Sequence, residues 1–195
     1  REQLNLLLAK LAKGPVPVHY RDAVTGEWKD GQFSAGHIAM LTRLLAYAPQ
    51  AAALLPLQFS EANKGHFESF MALSEMVSHD VSSMIMHGMQ LSVMCSEDAD
   101  DLVLDPADEK RLLGTGLVQL LKAQCAVWPH KMRPADFRTP LTGNLPVLIL
   151  SGEYDPVTPP RYGDSVAKHL PNAKHIIAKG SGHNVLPVGC MPKLF

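Results

Sequence analysis

The chain has 195 residues, of which 46% are hydrophobic and 19% charged, and its formal net charge at pH 7 is −1. This composition is typical of a globular protein, and the balanced charge gives no electrostatic reason to expect binding to nucleic acid or to an anionic membrane surface. No apolar run approaches the roughly 20 residues that span a bilayer, so we expect no membrane association.

The first segment, REQLNLLLAKLAKG, predicts an amphipathic helix. Leu4, Leu7, Leu8 and Leu11 follow the i, i+3, i+4, i+7 spacing of one helix face, and the segment lacks the pattern of a secretion signal. The chain stops at VGCMPKLF, on apolar residues. We interpret both ends as cuts and expect the chain to be a piece of a longer protein.

Residues 1–90 have a mostly helical pattern, which we interpret as a helical cap or lid region. The alternation of Val16, Val18 and Tyr20, followed by the turn at Thr25-Gly26, predicts a short hairpin. Pro49 and Pro56 serve as helix boundaries. The helices expected after the hairpin cover residues 35–47, 50–59 and 61–78.

The segments that follow residue 90 predict a strand, a helix and an irregular connector in turn. Residues 91–95, in MQLSVMCSED, form a strand-like run that ends in acids. A helix is expected over 108–124, with several leucines on one face. The segment VWPHKMRPADFRTPLTGN is rich in Pro and predicts an irregular connector.

A strand, a helix and a second strand are predicted in LPVLILSGEYDPVTPPRYGDSVAKHLPNAKHIIAKGSGHN, at residues 145–151, 159–170 and 173–178. This spacing is typical of a βαβ unit with parallel strands, hence of the α/β fold class. The uninterrupted apolar run PVLIL predicts a strand buried on both faces. One such unit cannot form a sheet of normal size, so we expect further strands from elsewhere.

Asp155 and His183 lie in the loops that follow these two strands. The carboxyl ends of neighbouring parallel strands meet at one edge of a sheet, so the two side chains can meet there. The carboxylate would hold the ring Nδ1–H and stabilise the imidazolium formed in catalysis. The residue types alone leave a second interpretation open, in which Asp155 is a turn or helix-cap residue and His183 is structural.

The segments LILSGEYDPVTPP and GSGHN resemble the acid and histidine segments of α/β-hydrolases, in particular of the peptidase branch that contains proline iminopeptidases and tripeptidyl aminopeptidases. LPLQFSEANKGHF, LSVMCSED, CAVWP and VGCMP resemble cap, post-cap and C-terminal segments of that branch. The resemblance implies that residues 91–195 form the C-terminal part of a hydrolase core, beside the cap. It also implies that Asp155 is the triad acid and His183 the general base. We expect no metal and no other cofactor.

A serine nucleophile is expected in a G-x-S-x-G elbow that precedes the acid, and the sequence contains no such motif. In GQFSAGH, Gly31 lies three places before Ser34 instead of two. Ser151 and Ser181 adjoin the acid and histidine segments, but neither has an elbow. We therefore expect the nucleophile and the oxyanion hole on an N-terminal half that precedes Arg1 and acts as a partner of this chain.

Glu97 and Asp98 are candidates for substrate binding. Related enzymes use acidic residues of the cap region to bind the free α-ammonium of a peptide, through a charge-assisted hydrogen bond. This would select peptide substrates with a free N-terminus. The alternative is a solvated strand end, because Asp100 and Asp101 extend the acidic run.

The three cysteines fit neither a zinc pattern nor a dense disulfide scaffold, and buried free thiols are one interpretation. The resemblance favours a periplasmic or secreted enzyme with a Cys95–Cys125 bridge. Cys190 would then pair with a cysteine outside this chain or stay free.

Three functional hypotheses remain open at the level of the sequence. The first is a serine aminopeptidase that removes residues or short peptides from free N-termini. The second is an esterase or another hydrolase on the same fold, since fold does not fix the substrate. The third is a non-catalytic remnant or subunit. In each case we expect this chain alone to be inactive.

Overall fold

The computed structural model describes residues 1–194. Helix α1 (Glu2–Leu11) is followed by an antiparallel hairpin of strands β1 (Val16–Arg21) and β2 (Trp28–Phe33). Two backbone N–H groups of the connecting turn donate to the carboxylate of Asp22, and Gly26 adopts a φ of 74° in that turn. The predicted first helix and hairpin are therefore confirmed.

Four helices follow the hairpin: α2 (Ala35–Leu45), α3 (Pro49–Ala52), α4 (Leu55–Lys64) and α5 (Glu68–Met84). The boundary expected after residue 59 is wrong, because α4 continues to Lys64 and ends at Gly65 with a φ of 100°. Gly accommodates this left-handed conformation without a Cβ clash. Pro56 lies in the first turn of α4, where a missing N–H costs nothing.

One apolar core holds these elements together. It is built from the inner faces of α1, the hairpin, α2, α4 and α5, and its aromatic centre places Phe33 4.9 Å from Phe70 between ring centroids. Each fully buried aliphatic or aromatic side chain of this kind contributes roughly 1.5–3 kcal/mol to folding. The buried members are Leu7, Leu11, Val18, Tyr20, Phe33, Ile38, Leu41, Leu45, Leu55, Ala62, Phe67, Phe70 and Met71.

Residues 91–95 are helical, which corrects the strand predicted there. They lie inside α6 (His87–Glu97), and the boundary predicted after residue 90 also falls within this helix. Residues without a branch at Cβ, such as Met, Leu and Gln, lose little rotamer freedom in a helix, and tertiary contacts then decide between helix and strand. Ser92 and Ser96 donate to carbonyls one turn earlier, as serines within a helix commonly do.

The helix expected over 108–124 is displaced toward the C-terminus. A short 3₁₀ helix covers Pro106–Lys110, and α7 covers Gly116–Val127. Gly114 lies between them with a φ of 57°, a left-handed conformation that interrupts a continuous helix. The segment that follows α7 is irregular until the next strand, as the Pro-rich sequence predicts.

A disulfide joins Cys95 of α6 to Cys125 of α7, and Cys190 is free and exposed. The bridge closes a loop with a sequence separation of 30 residues. Closing a loop of about this length stabilises a folded chain by roughly 3–4 kcal/mol in the chain-entropy model. The bridge therefore makes α6 and α7 one structural unit.

Strand β3 (Val147–Gly152), helix α8 (Pro160–Ala167) and strand β4 (Ala173–Ala178) form the predicted βαβ unit. The strands are parallel, with Ser151 opposite Ile177. Helix α8 packs against both strands. The prediction that β3 is buried on both faces is wrong for the described chain, because Leu148 remains 40% exposed. The reason is that α8 covers one face of a sheet of only two strands.

Within residues 1–194, no helix combines the length and the apolar character needed to cross a membrane.

Candidate active site

The loop after β3 is built around the carboxylate of Asp155. Its Oδ1 accepts hydrogen bonds from the backbone N–H groups of Val157 at 2.8 Å and Thr158 at 2.9 Å. The Thr158 hydroxyl donates to Oδ2 at 2.8 Å. These bonds form an Asx-type turn, in which the sequence D-P-V-T folds back onto its own acid. The local turn therefore fixes the carboxylate in one orientation without a contribution from His183.

His183 contacts this carboxylate from the loop after β4. Its Nδ1 lies 3.0 Å from both oxygens of Asp155. The side chain of the acid is 2% exposed, whereas that of the histidine is 38% exposed. Among the described residues, no hydrogen bond involves Nε2 of His183. The acid–histidine pair therefore has a buried acid, an oriented ring and an available Nε2.

Two opposing effects set the pKa of Asp155. Burial raises the pKa of the carboxyl, but the hydrogen bonds from Thr158, Val157 and His183 stabilise the ionised form, and together they hold the pKa at about 2, below its ordinary value of 3.8. The acid therefore stays ionised at every pH at which a histidine acts as a base.

The lowered pKa of Asp155 predicts a pH-dependent contribution to folding. Because the folded state binds the proton less tightly than the unfolded state, this stabilisation is complete above the ordinary pKa of 3.8 and is lost as the pH falls toward the folded value of about 2. The difference in free energy of unfolding between wild type and Asp155→Asn should shrink by about 2 kcal/mol from pH 6 to pH 2. Urea unfolding at both pH values measures it, and a constant difference would contradict the prediction.

The histidine loop packs directly against the helical region. The backbone N–H of His183 donates to the carbonyl of Tyr47 at 2.8 Å, and the two rings meet edge to face with centroids 5.1 Å apart. A Cβ on Gly182 would collide with the same carbonyl, and a Cβ on Gly152 would collide with the carbonyl of Gly182. Glycine is required at both positions because backbones approach each other closely.

The three serines that the sequence offers as candidate nucleophiles make contacts other than with His183. Ser34 is the N-cap of α2, with its Oγ 3.1 Å from Nδ1 of His37. Ser181 is buried, and its carbonyl accepts from Tyr154 at 2.9 Å. Ser151 is buried at the end of β3. None of the three has a hydrogen bond to His183 in the described structure.

Ser151 belongs to a network that the sequence did not reveal. Its Oγ lies 2.8 Å from Nε2 of His175, whose Nδ1 lies 2.9 Å from Asp164 on α8. The residue types are those of a triad, but the His175 side chain is only 8% exposed and Ser151 is buried, so no substrate reaches the hydroxyl. The network ties α8 to the sheet.

Glu97 and Asp98 are not brought into contact with the acid–histidine pair. Arg133 and Arg138 neutralise the surrounding acids instead: Arg133 binds Asp100 through two hydrogen bonds of 2.6 and 2.9 Å, and Arg138 pairs with Asp101 and lies 3.8 Å from Asp98. Both guanidinium groups also donate to the backbone carbonyl of Glu97. Among the described residues, the carboxylate of Glu97 itself has no ion pair.

In residues 1–194, no group of three or more His, Cys, Asp and Glu side chains has a geometry suited to a metal ion.

The contacts that sequence analysis missed are of two kinds. The bond from Thr158 to Asp155 could have been inferred from the D-x-x-T spacing of an Asx turn. The contacts of Tyr47 and the two arginines have no local signal, because they join segments far apart in the chain.

Residues 111–194 match the model of the Abhydrolase_4 family, described as TAP-like protein. The match covers somewhat less than half of the chain and contains α7, the complete βαβ unit, Asp155 and His183. It supports an α/β-hydrolase assignment for this segment, in agreement with the parallel strands and flanking helix. No curated protein and no solved structure matches the chain significantly.

Proposed function

We propose that this chain supplies the acid and the general base of a serine aminopeptidase that removes residues or short peptides from free peptide N-termini. The acid–histidine pair carries this proposal. An ionised carboxylate on Nδ1 fixes the tautomer in which Nε2 is the basic atom, and the available Nε2 is the atom that must face a serine hydroxyl. The similarity of residues 111–194 to TAP-like proteins supports the same chemistry.

In the proposed reaction, Nε2 of His183 takes the proton of the serine hydroxyl as its oxygen bonds to the substrate carbonyl carbon. Asp155 stabilises the imidazolium formed in this step. The imidazolium then gives the proton to the leaving amine as the C–N bond breaks, which leaves an acyl-enzyme. Water cleaves the acyl-enzyme with the same proton transfers, so the enzyme returns to its starting state.

The nucleophile in this proposal comes from a segment that carries G-x-S-x-G and adds strands to the β3–β4 sheet. Two observations support it. A two-stranded parallel sheet has unpaired edges on both sides, and parallel sheets are normally covered on both faces. Leu148 and Ile177 are 40% and 42% exposed, which leaves apolar surface for added elements to cover.

Fluorophosphonate labelling tests the proposal, because such probes react only with an activated serine. The 195-residue chain alone should not be labelled. Together with the segment that carries the elbow, labelling should appear on the elbow serine and be lost in His183→Ala. Labelling of this chain by itself would overturn the proposal. Turnover of N-blocked esters without any turnover of free-amine amides would favour an esterase over an aminopeptidase.

Recognition of the free amine is proposed for Glu97, because this residue is half-buried and its carboxylate has no ion pair among the described residues, while Asp100 and Asp101 are paired with arginines. A charge-assisted hydrogen bond to an ammonium group would then contribute to substrate binding. Glu97→Gln should raise KM about tenfold for free-amine substrates with little change in kcat. Asp98→Asn is the matched control and should change KM little. An unchanged KM in Glu97→Gln would remove Glu97 from the site.

The Cys95–Cys125 disulfide supports the proposal that the protein is periplasmic or secreted, since disulfides persist in oxidising compartments. Peptide mapping without reductant, on protein isolated from its native source, tests this. Recovery of both thiols in reduced form would contradict export.

A further inference from the structure

A cavity of about 380 Å³ lies beside the acid–histidine pair and has no role in the chemistry described above. Three segments form it: the end of α2 with the residues just after it, the segment before α7, and the loop that follows Asp155. Its lining is mainly apolar. The residues that matter for its chemistry are Thr42, Arg43, Tyr47, Leu112, Pro156 and Val157.

The cavity shares its walls with the groups that hold the pair. Pro156 and Val157 directly follow the acid, and the N–H of Val157 donates to Oδ1 of Asp155 at 2.8 Å. Tyr47 also lines the cavity, and its ring meets that of His183. A ligand in this cavity is therefore separated from the acid and the base by one residue on each side.

Two polar groups of the cavity lack protein partners. Arg43 is exposed and has no ion pair or hydrogen bond among the described residues, unlike Arg133 and Arg138. Oγ1 of Thr42 is the one buried side-chain polar atom in the described chain without a hydrogen-bond partner. A buried hydroxyl in this state costs free energy until a partner satisfies it.

We propose that this cavity binds the C-terminal residue of a short peptide, with the apolar side chain against Leu112 and Val157 and the carboxylate on Arg43. Apolar walls with a few converging polar groups are typical of small-ligand sites, and a guanidinium binds a carboxylate through two parallel hydrogen bonds. The assignment to a peptide substrate rests on the proposed function. The binding of an apolar carboxylate does not, because it requires neither the serine nor His183.

The test uses the 195-residue chain and three probes: N-acetyl-L-leucine, N-acetyl-L-leucinamide and octanoate. Titrations are followed by the NMR amide signals of Ala46 and Val157, which line the cavity. The acid should bind about tenfold more tightly than the neutral amide. Arg43→Gln should abolish this difference, and Arg161→Gln, an exposed arginine on α8, should preserve it. Ala46→Trp, which fills the cavity, should weaken the binding of both leucine probes.

Three outcomes would overturn the inference. Equal affinity for acid and amide in the wild-type chain would show that Arg43 does not recognise a carboxylate and acts only at the C-terminus of α2, where a basic residue is favourable. Tighter binding of octanoate than of N-acetyl-L-leucine would identify an alkyl acid in place of a peptide terminus. No binding of any probe would reject the site. Each result leaves the labelling test of the acid–histidine pair unaffected.

Discussion

Replacing Asp155 by Asn in the assembled hydrolase should lower kcat about 10⁴-fold and leave KM within about threefold. The loss in rate is of the size seen when the acid of a serine triad becomes an amide, because the histidine then adopts the wrong tautomer. The amide keeps one acceptor oxygen, whereas the carboxylate accepts from Val157, Thr158 and His183 with two. Substrate binding does not involve this buried group, so KM should change little.

The matched control for Asp155→Asn is Asp164→Asn. Asp164 also contacts the Nδ1 of a histidine, His175, on the same sheet, but that histidine is bound to the buried Ser151 and not to substrate. Its replacement should change kcat less than about threefold, because it affects packing of α8 and no proton transfer. Steady-state kinetics on a free-amine amide substrate distinguish the two cases. A similar loss in both variants would mean that the acid–histidine pair has no special role.

The sequence predicted those parts of the site whose structure depends on residues close together in the chain. The runs at 145–151 and 173–178 and the intervening helix have lengths and spacing typical of a parallel βαβ unit, which places the loops with Asp155 and His183 at one edge of the sheet. The hydrogen bonds of the Asx turn around the acid were not predicted, although they are equally local. The sequence D-P-V-T is sufficient to predict the hydrogen bonds from the N–H groups of Val157 and Thr158 to the carboxylate of Asp155.

The parts that failed depend on contacts between distant segments. Residues 91–95 carry no decisive period, and the helix there is favoured by packing on α7 and by the bond from Cys95 to Cys125. The alternative interpretation of Glu97 and Asp98, a solvated strand end, did not anticipate Arg133 and Arg138, which lie more than thirty residues further along the chain. Side-chain pairing at this separation leaves no mark in a single sequence.

The contact between Tyr47 and the histidine loop also joins segments that are distant in the sequence. Unlike the arginine contacts, it involves the acid–histidine pair directly. The helical region contacts the acid–histidine pair directly, because the backbone carbonyl of Tyr47 accepts the N–H of His183. A displacement of the segment after α2 is therefore transmitted to His183 through one hydrogen bond and one ring contact. This coupling requires that no side chain intervene, which is the reason for glycine at position 182.

Replacing Gly182 by Ala should lower the free energy of unfolding by about 2–4 kcal/mol. The new Cβ would collide with the carbonyl oxygen of Tyr47 and would lie 3.0 Å from Cδ of Pro49, and neither neighbour is the flexible end of a side chain. Overpacking of this kind costs about 1–3 kcal/mol, and losing the hydrogen bond from His183 adds about 1 kcal/mol. Urea unfolding at neutral pH measures the change.

Gly116→Ala is the matched control for Gly182→Ala, because no heavy atom lies within 4 Å of the added Cβ at the start of α7. In a helix, Ala is favoured over Gly by up to about 1 kcal/mol, so this variant should be as stable as wild type or more stable. Amide hydrogen exchange separates collision from general destabilisation: in Gly182→Ala the amide of His183 should exchange faster even where the core amides of β3 remain protected, since its acceptor is Tyr47. An unchanged exchange rate at His183, with unfolding within 1 kcal/mol of wild type, would show that the helical region does not position His183.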